Sequence, residues 1–305
     1  MGKVAFVFPG QGAQYSGMGR ELAACSPAAA EVFRLADSLR PGTSEQCFQG
    51  SEEALRETKT TQPCIFAVEL AAAAALQEAG VMPDLAAGFS LGELSALTCA
   101  QIVDLSTSFQ LVCQRGRLMQ EAAEQVSTAM AAVVRLDNET VEALCSQFDG
   151  VDPVTYNCPG QVTVAARTEQ MPAFSAAVKA AGGRALPLKV SGGFHSPFMA
   201  QAAEAFGALL EGVAFQQPRI PLYSNCTSLP YDHRVKELLA KQICSPVRWE
   251  AIIRHMIAQG ADTFVEVGPG NVLQGLIAKI DPTVRTFGVA DQNSLTEVTT
   301  CLTEK

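Results

Sequence analysis

The chain has 305 residues, 48% of them hydrophobic, which suffices for a sizeable core in one large α/β domain or two smaller ones. Its 31 acidic against 22 basic residues give a formal charge of -9, which repels phosphate backbones and argues against a nucleic-acid partner. No apolar run approaches the roughly 20 residues of a membrane span, and the apolar run near Met1 is too short for a signal-peptide core, so a soluble, cytoplasmic protein without a membrane partner is expected.

Lys3 to Phe8 reads as a short buried strand ended by Pro9 and the glycine-punctuated loop Gly10-Gln11-Gly12. Helical segments run on to Gly80, one of them predicted over Gln62 to Ala79 with Pro63 in its first turn. A strand follows at Leu85 to Phe89, then helices at Glu93 to Ala100 and Leu105 to Glu124. Between Ser127 and Val190 the order becomes strand, helix, strand, strand, helix, strand: Met130 to Leu136, Glu139 to Phe148, Val154 to Asn157, Gln161 to Ala166, Glu169 to Ala181 and Arg184 to Val190. That β-α-β-β-α-β order predicts a ferredoxin-like insertion. Strands at Ile220 to Ser224, Thr263 to Val267 and Val284 to Val289 return to α/β alternation. The expected organisation is a large domain from residues 1–126 and 191–305, interrupted by a small one at 127–190.

Gly88-Phe89-Ser90-Leu91-Gly92 is a G-x-S-x-G match between a strand and a helix, the setting of a nucleophile elbow. The turn exposes a serine hydroxyl, and Leu91 at the helix start aims its N–H at a developing oxyanion. Of the three histidines, His255 falls in an amphipathic helix and His233 in a polar turn. His195 follows Ser191-Gly192-Gly193-Phe194 and precedes an N-cap-like Ser196-Pro197, which suits an aimed base. No acidic residue is marked as a third member, so a dyad is expected, with a backbone carbonyl fixing the imidazole tautomer. Arg115 and Arg117 share one helix, and helical phase does not choose between them. Ten cysteines fall singly, without a C-x-x-C pair, and neither they nor the histidines show zinc-ligand spacing, so no metal is expected.

Taken together these motifs resemble the malonyl-CoA:acyl carrier protein transacylase family and the related acyltransferase domains of polyketide synthases. The resemblance runs through Phe8-Pro9-Gly10-Gln11-Gly12, Gly88 to Glu93, Gln114-Arg115-Gly116, Met130-Ala131-Ala132-Val133 and Tyr156 to Gln161. It continues through Gly193-Phe194-His195-Ser196, Pro246-Val247-Arg248-Trp249 and Glu266-Val267-Gly268-Pro269-Gly270. It implies an α/β-hydrolase-like large domain with a parallel sheet and nucleophile elbow, plus the inserted ferredoxin-like domain. It also implies Ser90 as nucleophile, His195 as general base and acid, and the Gln242 main-chain carbonyl as its orienting acceptor. Gln11 and Leu91 would supply oxyanion N–H groups, Arg115 would pair with the malonyl carboxylate, and Asn157 would play a supporting polar role. Phe194 resembles the malonyl-selective form of its motif. Phe89 departs from the family, which often has histidine there.

The implied reaction is ping-pong transfer of malonyl from malonyl-CoA to acyl carrier protein, with no cofactor beyond the coenzyme A thioester substrate. With no appended synthase domain in this sequence, the discrete enzyme of fatty acid biosynthesis is the expected member. The elbow alone also fits a serine hydrolase, although an α/β-hydrolase places its acid before a late histidine and gives Arg115 no evident purpose.

Overall fold

The computed structural model describes residues 2–190 and 192–303, so the predicted domain ends at Met1, Ser191 and Lys305 lie outside the described residues. Among the described residues there are nine strands: β1 (Lys3–Phe8), β2 (Leu85–Gly88), β3 (Thr128–Val134), β4 (Val151–Cys158), β5 (Gln161–Arg167), β6 (Arg184–Pro187), β7 (Leu222–Tyr223), β8 (Ala261–Val267) and β9 (Arg285–Val289). They form a five-stranded sheet in the order β7-β2-β1-β8-β9 and a four-stranded sheet in the order β4-β5-β3-β6. Every pairing in the first is parallel and every pairing in the second antiparallel.

The parallel sheet is buried on both faces. Successive residues of β1 alternate between two cores, Val4, Phe6 and Phe8 into one and Ala5 and Val7 into the other, because side chains in a strand point to opposite faces. The antiparallel sheet uses the same alternation differently. Ala131, Val133, Val162 and Val164 pack against Phe174 and Val178 of the helix Met171–Ala180, while Met130, Ala132 and Thr163 face a cavity. The order β-α-β-β-α-β, with the first and third strands in the middle and each neighbouring pair antiparallel, is the ferredoxin-like arrangement.

Pro63 departs from expectation. The helix spans Thr58–Glu78, so Pro63 is its sixth residue rather than part of its first turn. The N–H groups of Thr60 and Thr61 bond to Glu57 O at 2.8 Å and start the helix early, and Thr58, Thr60 and Thr61 are buried. Tertiary burial here overrides the weak helix propensity of threonine. Strands β6 and β7 are also shorter than expected, β7 having only two residues. All ten cysteines are free, four buried, four partly buried and two exposed. No helix among the described residues is long and apolar enough to cross a membrane.

Candidate active site

A cavity of about 260 Å³ lies where the C-terminal ends of β1 and β2 meet the antiparallel sheet. One side is formed by the loop Pro9 to Ala13, Gln62, Phe89 and Ser90, the other by Met130, Ala132, Thr155, Asn157, Thr163 and Leu188, with Phe194 and His195 between them. The C-terminal edge of a parallel sheet is the usual place for such a site in open α/β folds.

Ser90 follows β2 with φ 56°, a left-handed conformation that costs an L-residue energy and turns the chain sharply into the helix Gly92–Cys99. Two glycines make the turn possible. A Cβ on Gly88 would lie 1.9 Å from the backbone of Gly92, and one on Gly92 would lie 2.1 Å from Phe8 O. His195 is also left-handed, with φ 63°. Its loop is pinned by Gly193 N–H to Thr128 Oγ1 at 2.7 Å and by Ser196 Oγ–H to Gly193 O at 2.5 Å. Ser196 then caps the short helical turn Pro197–Met199 by accepting from Phe198 N–H.

The two residues meet across 105 positions of sequence: His195 Nε2 lies 2.7 Å from Ser90 Oγ. The other ring nitrogen, Nδ1, lies 2.9 Å from the main-chain carbonyl of Gln242, at the end of the helix Val235–Gln242. A carbonyl only accepts, so Nδ1 carries the proton and Nε2 is left to accept from the serine hydroxyl. Burial, and after it the charge of Arg115, hold the imidazole pKa down to about 4. His255 is elsewhere, with Nδ1 2.7 Å from Ser228 O, and His233 lines a separate groove.

Arg115 is fully buried, whereas Arg117 is exposed and paired with Glu121. The Arg115 guanidinium donates to Gln62 Oε1 and Gln242 Oε1, each at 2.8 Å, and to Ser90 Oγ at 3.4 Å. Its Nε has no partner, and no carboxylate among the described residues is within ion-pair distance. Burial lowers its pKa to about 10, with Glu93 opposing. A buried cation with an idle donor is costly unless an anion completes it.

The backbone N–H groups of Gln11, on the loop after β1, and of Leu91, ahead of the helix Gly92–Cys99, have no acceptor among the described residues. Asn157 donates Nδ2–H to Thr163 Oγ1 at 3.1 Å and leaves Oδ1 unpartnered beside the cavity. Phe194 is buried in the cavity wall, and Phe89 packs edge-on against Trp249 with ring centres 5.5 Å apart.

Sequence reasoning missed a buried polar layer beneath Ser90. Asn225 bonds to Ser90 N–H and Gly88 O, the Gln242 side chain donates to Ser90 O at 2.6 Å, and Glu93 accepts from Asn225 N–H at 2.9 Å and Tyr231 O–H at 2.6 Å. Burial raises Glu93 to about 7, the hydrogen bonds from Tyr231 and Asn225 pulling the other way. Gln62, which follows the polar stretch Thr58-Lys59-Thr60-Thr61, and Asn225 carried no legible signal. Among the described residues no group of three or more His, Cys, Asp or Glu side chains is placed to hold a metal ion.

A serine on an elbow, hydrogen-bonded to a histidine at the carboxyl edge of a parallel sheet, marks an acyl-transferring enzyme, and the acyl transferase domain family matches residues 5–296. Among curated proteins, the malonyl CoA-acyl carrier protein transacylase of Bacillus subtilis (strain 168) is 37% identical, with 97% of this chain and 96% of that protein aligned. That of Escherichia coli (strain K12) is also 37% identical, over 97% and 98%. Among solved structures, the malonyl CoA-acyl carrier protein transacylase from Clostridium perfringens superposes with TM-score 0.95 at 34% identity, covering 99% of this chain and 97% of that one. A malonyl-transacylase in complex with a type II PKS acyl-carrier protein superposes with TM-score 0.94 at 37% identity, covering 99% and 100%. The chain belongs to the malonyl CoA-acyl carrier protein transacylase family.

Proposed function

We propose that the protein transfers malonyl from malonyl-CoA to the phosphopantetheine thiol of an acyl carrier protein through an ester on Ser90, supplying fatty acid biosynthesis in the cytoplasm. Ser90 Oγ attacks the thioester carbonyl while its proton passes to His195 Nε2, the C–S bond breaks, and coenzyme A leaves as the thiol with that proton. The carrier thiol then gives its proton to His195, attacks the ester, and Ser90 Oγ takes the proton back. The Gln242 carbonyl keeps the imidazole in the accepting tautomer throughout, and the free N–H groups of Gln11 and Leu91 hold the oxyanion in both halves. Only side chains, backbone groups and the thioester substrate take part, so no resident cofactor is called for. In this reading residues 1–126 and 191–305 carry the chemistry, and the insertion 127–190, through Asn157 and its neighbours, closes over the acyl and pantetheine chain.

The observation that carries the choice of substrate is Arg115. Buried, charged, unpaired by any carboxylate among the described residues and 3.4 Å from the nucleophile, it suits an acyl group that brings its own carboxylate. The test is intact-protein mass after brief incubation with malonyl-CoA, with acetyl-CoA and Ser90→Ala as controls and a chase with holo acyl carrier protein. A malonyl adduct that Ser90→Ala lacks and the carrier discharges is the expected result. Release of free malonate without transfer, or no adduct at all, overturns the reading.

A further inference from the structure

Strand β7 pairs with β2 for two residues, Leu222 opposite Ala86 and Tyr223 opposite Ala87, and then its backbone leaves the sheet. Ser224 N–H turns to Leu229 O at 2.9 Å, and Cys226 N–H to Ser224 Oγ at 3.2 Å. Had the register continued, Asn225 would stand opposite Phe89. In a parallel ladder the residue opposite a given position donates to the carbonyl before that position and accepts from the N–H after it. The Asn225 carboxamide does both for Phe89: Nδ2 donates to Gly88 O at 2.6 Å, and Oδ1 accepts from Ser90 N–H at 2.8 Å.

We infer that Asn225 is a positioning residue whose side-chain amide replaces a strand peptide, carrying the sheet one step beyond β2 and holding Ser90 in its left-handed turn. The carboxamide is itself fixed. Asn225 is fully buried, its N–H goes to Glu93 Oε1 and its carbonyl accepts from Arg248 N–H at 3.1 Å. Gln242 Nε2 braces the same turn from its carbonyl side through Ser90 O. Without Asn225, the strained φ of Ser90 loses the bonds on either side of Phe89, and the aim of Oγ at His195 relaxes.

This inference rests on Ser90 carrying the acyl group. Its test compares Asn225→Ala and Asn225→Asp with the wild type. Aspartate keeps the acceptor for Ser90 N–H and loses the donor to Gly88 O, which gives a second variant if alanine fails to fold. Tyr231→Phe is the control, since it loses one hydrogen bond to Glu93 and none to the elbow. Single-turnover acylation by malonyl-CoA and discharge to holo carrier protein are followed by intact mass on the folded fraction. Both half-reactions should slow together, on the order of 10²-fold, with the apparent KM for malonyl-CoA changed by less than about threefold. A lower melting temperature with both rates within about twofold of wild type, the behaviour expected of Tyr231→Phe, overturns the inference, as does a change confined to KM. If the wild type forms no adduct at Ser90, the proposed function fails too, which separates the two failures.

Discussion

On the side of the cavity built by the five-stranded lobe, Gln62, Arg115, Gln242, Ser90 and His195 hold one another through amide, charged and imidazole hydrogen bonds. On the side built by the antiparallel sheet, Met130, Ala132 and Leu188 present apolar surface relieved by Thr155, Asn157 and Thr163. The two sides tolerate change differently. Removing a member of the first leaves a buried polar or charged partner unsatisfied, which costs about 1 to 3 kcal/mol and more for a charge. Removing a methyl from the second changes shape, with smaller consequences. In the proposed reading the first side carries proton transfer and recognition of a carboxylate and the second discriminates by shape, a division that substitutions can test.

The largest effect is expected for His195→Ala, which takes away the proton acceptor 2.7 Å from Ser90 Oγ. Acylation measured by single-turnover mass should fall by about 10² to 10⁴, with Ser90 still in place. Next comes Arg115→Gln, for which kcat/KM with malonyl-CoA should fall by about 10² to 10³ while acetyl-CoA becomes a relatively better donor. A parallel loss with both donors would deny Arg115 its carboxylate partner and break the comparison at its main point.

The pH dependence separates the sides further. Because burial and the Arg115 charge hold His195 near 4, kcat/KM for malonyl-CoA should stay level well below pH 6.5 and decline only near pH 4. In Arg115→Gln the second cause is gone, so that decline should move to higher pH. Stability has two opposed contributions. The His195 pKa is depressed on folding, so its contribution is present above 6.5 and lost as pH falls toward 4. Glu93 is raised from 4.5 to about 7, so its contribution is present below 4.5 and lost as pH rises through 7. Between pH 5 and 6.5 the two slopes oppose one another, so melting profiles should rise more steeply with pH for Glu93→Gln, which keeps only the His195 contribution, than for the wild type.

The smallest effect is expected for Phe194→Ser. Enlarging the cavity at this ring should admit a methyl branch and shift the methylmalonyl-to-malonyl ratio of kcat/KM by about 10- to 200-fold, with malonyl turnover little changed. An unchanged ratio would remove Phe194 from substrate choice and leave selection to other parts of the cavity wall.

Much of the fold was legible from local pattern. Lys3–Phe8 reads as a buried strand because it is apolar at every residue after the first, and the second lobe because its strands and helices alternate in a ferredoxin-like order. Of the site, the elbow was legible in the two glycines around Ser90, and His195 in the glycine-hinged loop that precedes a helix turn. The start of the helix at Thr58 was not, since burial of its threonines against the core decides it. Nor was Asn225, which lies outside any motif because its partners, Gly88 and Ser90, are more than 130 residues away.

By itself the sequence determined what short-range sterics and periodicity can dictate: a tight glycine-flanked turn between strand and helix, the alternation of faces along each strand, and the insertion of one βαββαβ unit. Pattern and periodicity did not choose which of two arginines on one helix is buried beside the serine or which carbonyl meets the imidazole, although the family resemblance pointed to Arg115 and Gln242, and only the tertiary structure decided which amide completes the ladder past β2. Those choices depend on which polar groups lose water together. Burial of that kind is a property of packed elements, not of any stretch of chain.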